Sequence, residues 1–328
     1  MNYRKLGKTN FNVSEVALGT WQVGGGWGST FDQQTASRII HTALDAGVNF
    51  IDTADVYDAG LSEAAVGKAL KERRERIYVA TKCGRQIQPH RNEGYTVEVL
   101  RKYVEASLKN MQLETIDLIQ LHCPPTPVYS RPEIFGLFER LKEEGKIQHL
   151  GVSVETVAEA EMALNFSNVA TVQIIFNMFR LKPAEKFFAL AQKEECGIIV
   201  RVPLASGMLT GKLHSNSQFA EGDHRTFNRQ GEAFDKGETF SGVPFDLGLQ
   251  AVEALKQVFG NHAPLAAFAL RWILMFPEVS TVIPGASTPS QVHQNISAAG
   301  LPLLTPDQMD AVKSIYEKHI KPVVHNLW

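Results

Sequence analysis

The chain has 328 residues, with 33 Lys+Arg against 35 Asp+Glu and a formal net charge of −2. Hydrophobic residues make up 44 % and charged residues 21 %, a mix that excludes a disordered chain and carries no basic excess for a nucleic-acid partner. No apolar run reaches the roughly 18 residues of a membrane span, and Arg271 interrupts the richest one, 268–276. The first twenty residues lack the charged head and apolar stretch of a secretion signal. Cys83, Cys123 and Cys196 are too few, and odd in number, for a disulfide framework. The expectation is a cytoplasmic protein with reduced thiols and a small-molecule substrate, with no nucleic acid and no membrane, as a monomer or a homo-oligomer.

Residues 1–15 alternate polar and apolar, with turn signals at Gly7-Lys8 and Thr9-Asn10, and predict a small hairpin. Short β-branched runs then alternate with helical patterns. Strands are predicted at 16–18, 49–52, 77–82, 116–122, 149–153, 171–173, 197–202 and 279–284. Helices are predicted at 33–45, 63–72, 96–111, 132–144, 156–164 and 184–193. More follow at 247–276 (two pieces broken at 261–264), 289–297 and 307–319. Strands such as IYVATK and IDLIQLH are almost wholly apolar, as parallel strands buried on both faces should be. Eight such units predict an α/β fold of the (β/α)8 TIM-barrel type, with an N-terminal β-hairpin cap and an extra C-terminal helix. The competing open sheet needs a Gly-rich turn leading straight into a helix. Gly24-Gly25-Gly26-Trp27-Gly28 does not provide one. No repeat or linker divides the chain, so residues 1–328 read as one domain. The longest aperiodic stretch is 213–245, and a loop of that length is functional or disordered.

Active groups of a barrel sit where its strands end. The polar residues closing the apolar runs are Asp52, Lys82, His122, Ser153, Gln173 and Arg201, with Tyr57 in the loop after Asp52. A free phenol is a weak acid near neutrality. A lysine beside it favours the phenolate, and a carboxylate keeps that lysine charged. A histidine can hydrogen-bond an incoming oxygen. Asp52, Tyr57, Lys82 and His122 therefore form a workable proton donor for a carbonyl oxygen. Singly, each also reads as a cap, an ion-pair partner or a satisfied core polar group. Together, on three successive strands, they read as function. Cys83 and Cys123 directly follow Lys82 and His122, so strand alternation predicts that they turn away from the mouth. Trp21, Trp27, Phe176, Phe179 and Trp328 are candidates for an apolar substrate wall, although Phe176 and Phe179 equally fit a core. The tail 323–328 could fold over the mouth or lie at a subunit contact.

These residues resemble the aldo-keto reductase superfamily. Asn49-Phe-Ile-Asp52-Thr-Ala-Asp-Val-Tyr57 with Ser62-Glu63 is similar to its first signature. Ala80-Thr81-Lys82 and Leu121-His122 match its later catalytic positions, and Gly19-Thr20-Trp21 its first turn. Gly151-Val152-Ser153, Gln173, the run 203–212 and Ile283-Pro284-Gly285-Ala286-Ser287 with Gln291 and Asn295 resemble its cofactor segments. The matches run in family order from Gly7 to Asn295. The resemblance implies an enzyme that reduces a small carbonyl substrate with hydride from a nicotinamide cofactor and no metal. Tyr57 would be the general acid, Lys82 would tune it, Asp52 would pair with Lys82, and His122 would orient the carbonyl. Ser153 and Gln173 would hold the carboxamide. Pro203, Leu204, Ser206, Gly207, Leu209 and Lys212 would run along the pyrophosphate, with Arg225 closing over it.

The departures are informative. Val154 stands where the family commonly has Asn, which removes one amide contact. Arg201 stands where an aromatic usually stacks on the nicotinamide. It could stack, bind an acidic substrate, or pair with a nearby acid, and the sequence leaves these open. Gly285 and Gln291 replace a Lys and an Arg common in NADPH-dependent members. This pattern resembles the potassium-channel β-subunit-like branch and related bacterial reductases. Ser287, Gln291 and a helix N-terminus can still receive a phosphate, so the expected cofactor is NADP(H). Two other functions compete. One is an NADP-binding regulatory or sensor subunit with weak reductase activity. The other is a lyase using Lys82 as a Schiff-base nucleophile. The substrate itself is not legible, because the loops 84–94, 124–131 and 211–244 would set it.

Overall fold

The computed structural model describes residues 1–328. It opens with a hairpin of β1 (Tyr3–Lys5) and β2 (Asn12–Ser14), paired antiparallel. Eight parallel strands follow in chain order. They are β3 (Leu18–Gly19), β4 (Phe50–Asp52), β5 (Tyr78–Cys83), β6 (Ile116–His122), β7 (Ile147–Ser153), β8 (Val169–Ile175), β9 (Gly197–Arg201) and β10 (Val279–Val282). Parallel bridges from Val16 to Val282 and from Gly19 to Gly285 join the first strand to the last and close the barrel. Each predicted strand is present, and β8 is longer than expected because Val169, Ala170, Ile174 and Ile175 are buried as well.

The helices between the strands are α1 (Gln33–Asp45), α2 (Leu61–Lys71), α3 (Val97–Met111), α4 (Pro132–Glu143), α5 (Val157–Ala163) and α6 (Phe187–Lys193). A short turn, α7 (His224–Phe227), precedes α8 (Phe245–Phe259) and α9 (Leu265–Leu274). α10 (Pro289–Ser297) follows the last strand. α11 (Pro306–Ile315) runs through a π turn at Tyr316–Ile320 into α12 (Lys321–Val324). The cap chemistry is local. Thr156 and Glu159 form a capping box at α5, and Thr305 and Gln308 form one at α11, each satisfying two backbone N–H groups that a helix start leaves free.

Alternation builds the barrel interior in layers. A cluster of nine buried apolar residues plugs its bottom: Leu6, Phe11, Val13, Ala17, Phe50, Ala80, Leu118, Ile199 and Ile283. Three of these come from the hairpin segment, where the Phe11 ring stacks on Tyr78 at 4.3 Å. Burying a side chain of that size contributes roughly 2–3 kcal/mol. The hairpin is thus the expected cap. Two residues further along each strand the same face turns polar: Phe50 leads to Asp52, Ala80 to Lys82, Leu118 to Gln120 and His122, and Ile199 to Arg201. The apolar plug is the floor on which the polar layer stands.

Candidate active site

Lys82 lies at the centre of that layer and is 1 % exposed. Its Nζ donates to Asp52 Oδ1 at 2.5 Å, to the Thr53 carbonyl at 2.8 Å and to Tyr57 Oη at 3.4 Å. Three acceptors use all three ammonium protons. Asp52 Oδ2 accepts from Gln120 Nε2 at 3.0 Å and from Gln173 Nε2 at 2.8 Å. Gln173 also donates to Gln120 Oε1 at 3.0 Å. A buried carboxylate with this many donors is held in one place. Gln120 was missed in the sequence, although its position two residues before His122 on one strand face is the signal that finds it.

Tyr57 is brought over Lys82 by a tight return. Asp58, Ala59 and Gly60 all have left-handed backbones, at φ 48°, 51° and 88°. Buried polar bonds pin the segment beyond it. Ser62 Oγ donates to Thr20 Oγ1 at 2.8 Å, and Glu63 accepts from Thr81 Oγ1 at 2.6 Å and from Asn110 Nδ2 at 2.8 Å. The Tyr57 ring lies parallel to Trp21 at 6.1 Å and edge-on to His122 at 6.1 Å.

Burial pushes the Tyr57 phenol above its usual value, although Lys82 pulls it down. Burial would discharge Lys82, but Asp52 and Tyr57 outweigh it and hold the ammonium charged. His122 is held well below its usual value by burial and then by Lys82, Arg85 and Arg201, so the imidazole is neutral. Its Nδ1 is buried without a partner, which leaves Nε2 toward the open space.

A cavity of about 610 Å³ runs across the barrel mouth from this group to the start of α10. At one end lie Asp52, Tyr57, His122 and Gln173, with Trp21 and Trp27 as walls. In the middle are Leu204, Ser206, Gly207, Lys212 and Arg225. The backbone is left-handed at Val202, Ala205, Ser206 and Gly207, and strain of this kind collects where a backbone is shaped around a ligand. At the far end are Gly285, Ser287, Gln291 and Asn295. A Cβ on Gly285 would come within 2.9 Å of Gln22 Oε1, so Gln22 fills the space of a side chain there. Ser287 donates its N–H and its hydroxyl to Gln291 Oε1 at 2.7 and 3.1 Å.

The segment 213–245 is ordered and roofs the cavity. Ser206 Oγ donates to the Glu238 carbonyl at 2.8 Å and accepts from the Phe240 N–H at 3.1 Å. Arg225 pairs with Asp223 and stacks over Trp27 at 4.8 Å and Phe219 at 4.3 Å. Gly28 and Gly222 touch backbone to backbone: a Cβ on Gly28 would lie 2.9 Å from the Gly222 carbonyl carbon. Loop 20–32 and the roof thus form a clasp.

A sequence model described as the aldo/keto reductase family matches residues 15–317. The chain belongs to the aldo/keto reductase family. It is an oxidoreductase of that family. A glycerol dehydrogenase from Gluconobacter oxydans has a similar structure, with a TM-score of 0.78 at 31 % identity, covering 97 % of this chain and 96 % of that one. The NADH-specific methylglyoxal reductase of Escherichia coli (strain K12) is 29 % identical over 328 residues, 92 % of this chain and 94 % of its own. An aldo-keto reductase from Klebsiella pneumoniae, in complex with NADPH, shares the fold at 20 % identity and a TM-score of 0.71, covering 96 % of this chain and 95 % of that one.

Most residues named from the sequence of this reductase line the one cavity. They are Gly19, Thr20, Trp21, Asp52, Tyr57, His122, Gln173, Arg201, Pro203, Leu204, Ser206, Gly207, Lys212, Arg225, Gly285, Ser287, Gln291 and Asn295. Lys82, Ser153 and Leu209 lie behind the wall instead, at 1 %, 1 % and 0 % exposure. Ser153 Oγ sits 3.5 Å from Cys123 Sγ. Phe176 and Phe179 are core, and Trp328 packs on Arg180 and Asp235 rather than on the mouth.

Arg201 pairs with acids, one of the three readings left open. Its Nη2 donates to Glu155 Oε2 at 2.7 Å, and its Nη1 is 3.4 Å from Glu238 Oε1. Arg85 approaches the same two carboxyls at 3.5 and 3.4 Å. Arg85, Glu155 and Glu238 were missed in the sequence because each stands in a loop with no periodic signal. Cys123 differs from expectation: its thiol lies 3.6 Å from Arg201 Nη2. β6 ends at His122, and Cys123 has a left-handed φ of 48°, so strand alternation no longer governs where it points.

Proposed function

We propose that the chain reduces aldehydes or ketones to alcohols with hydride from NADP(H), Tyr57 being the proton donor. The observation that carries this reading is the Lys82 ammonium held between Asp52 and Tyr57 beneath a cavity shared with His122. A bound nicotinamide dinucleotide would supply the hydride. The cavity fits such a group: it is long, joins the acid group to a helix N-terminus, and carries Lys212 and Arg225 midway. Gln173 spends its amide protons on Asp52 and Gln120, which keeps its carbonyl oxygen for a carboxamide. Ser287 and the start of α10 offer neutral donors to a 2′-phosphate once Gln291 turns aside. One relative is named NADH-specific and a protein of the same fold is in complex with NADPH, so these donors are what argues for the phosphorylated dinucleotide.

The proton chemistry follows from the charges. Burial keeps the phenol protonated, so Tyr57 has a proton to give. As that proton passes to the carbonyl oxygen, the phenolate forms 3.4 Å from a fixed positive charge. Neutral His122 offers one N–H to the same oxygen and adds no charge of its own. A regulatory subunit would need the cavity but not this donor set. A Schiff-base role for Lys82 conflicts with an ammonium that is charged, buried and fully engaged.

The test is oxidation of NADPH with an activated aromatic aldehyde. Tyr57→Phe should cut kcat by roughly 10²–10⁴-fold. A variant that turned over at the wild-type rate would refute the assignment. Fluorescence titration should give tighter binding of NADPH than of NADH, and an equal or tighter NADH constant would overturn the cofactor choice.

A further inference from the structure

Arg85, Glu155, Arg201 and Glu238 form a closed ring of alternating charge in the wall beside Tyr57 and His122. The four groups come from four separate parts of the chain: the loops after β5 and β7, the end of β9, and the roof segment. The ring is unevenly satisfied. Glu155 Oε2 accepts from Arg201, which also donates to the Val154 carbonyl at 3.1 Å, while Glu155 Oε1 is buried without a hydrogen-bond partner. Beside the capping box of α5, the Glu155 backbone N–H donates to Glu159 Oε2 at 3.0 Å, which anchors the backbone that carries this carboxylate. Arg85, by contrast, makes one hydrogen bond, a long one of 3.4 Å to Glu238. Its other four N–H groups make no hydrogen bond. Its side chain lines the cavity at 19 % exposure, with its guanidinium 5.8 Å from the Phe234 ring. Behind it, Arg201 Nε is buried with no partner. Burial, and then the charge of Glu155, drives the Glu238 carboxyl toward its protonated form, while the arginines hold Glu155 ionised. Two arginines then face fewer than two full negative charges, so the wall next to the proton donor is short of anions.

We infer that Arg85 is the seat of an anionic group on the substrate, and that the preferred carbonyl compounds carry a carboxylate beyond the carbonyl, with Arg201 reinforcing the seat and Phe234 flanking it. A carboxylate matches a guanidinium edge through two parallel hydrogen bonds. This inference rests on the carbonyl-reductase reading of the same cavity. It adds the substrate class and names Arg85 as the residue that selects it.

A matched pair of aldehydes tests it: 4-carboxybenzaldehyde and its methyl ester, which differ in charge but little in shape. Each is assayed with the intact protein, with NADPH and, in parallel, with NADH. The wild type should favour the carboxylate by about tenfold or more in kcat/KM, the size of one charge-assisted hydrogen bond. Arg85→Gln should raise KM for the carboxylate at least tenfold more than for the ester. Arg85→Lys should recover part of that difference, because it restores the charge without the fork. A wild type that treats the pair alike, or prefers the ester, overturns the inference and leaves the reductase reading intact. So does an Arg85→Gln variant that loses both substrates equally, since that marks a structural ion pair. If neither aldehyde is reduced with either dinucleotide, the reductase reading itself falls.

Discussion

Asp55 shows how a single residue near the site trades stability for position. It is 3 % exposed, and neither carboxylate oxygen has a hydrogen-bond partner. Burial, and then the charge of Glu63, pushes its pKa from 3.8 up to about 7. The sign follows from the unfolded chain, where an aspartate gives up its proton near 3.8 while the folded protein keeps it to about 7. Stability owed to this group is therefore fully present below roughly pH 4 and is lost as the pH climbs to 7. Asp55→Asn removes the titration and keeps the shape. Calorimetry should show Tm rising by roughly 3 °C or more at about pH 8, with a smaller gain at about pH 4. A gain of equal size at both would mean that Asp55 is not the group paying the cost. The same locality explains why Asp52, Tyr57, Lys82 and His122 could be read from the sequence. Each is a polar residue at, or just beyond, the end of an apolar run. Asp55 looked like one more polar residue of the same signature, because the missing partners exist only in three dimensions.

At the scale of elements, strand alternation made both the barrel and its polar layer legible. Phe50 with Asp52, Ala80 with Lys82 and Ile199 with Arg201 are three instances of one two-residue period. The period stops where strands stop. Cys123 was misplaced for that reason, and the segment 213–245 had no period to read at all. Its order depends on particular long-range bonds, such as Ser206 to Glu238 and Trp328 Nε1 to Asp235 Oδ1 at 2.9 Å. The glycine clasp is likewise invisible in a sequence, where Gly28 reads as one of a run and Gly222 as an ordinary loop residue. A side chain at position 28, where φ is 80°, would be strained and would collide with the Gly222 backbone. Gly28→Val should therefore hold the roof open and speed NADPH dissociation on the order of tenfold in stopped-flow measurements. An unchanged release rate would show that the clasp does not gate the cavity.

The whole molecule is a ring of strands with one seam. β3 has two residues, and it meets β10 through isolated bridges and the bonds Ala17 N–H to Val282 O, Gly19 N–H to Pro284 O and Val282 N–H to Glu15 O. β3 meets β4 over only two residue pairs as well, whereas strands such as β6 and β7 pair over much longer ladders. The seam joins residues more than 260 positions apart and is held by only a few backbone bonds. Amide hydrogens at the seam should exchange with solvent sooner than those of β6 and β7. The cavity straddles this joint, with Gly19 to Gln22 on one bank and Ile283 to Asn295 on the other. A dinucleotide lying across it would work as a staple, tying the two ends of the ring together. Adding NADPH should then slow exchange at residues 17–19 and 282–285 more than in the opposite half of the barrel. Uniform slowing would mean that the ligand stabilises the fold without bridging its seam.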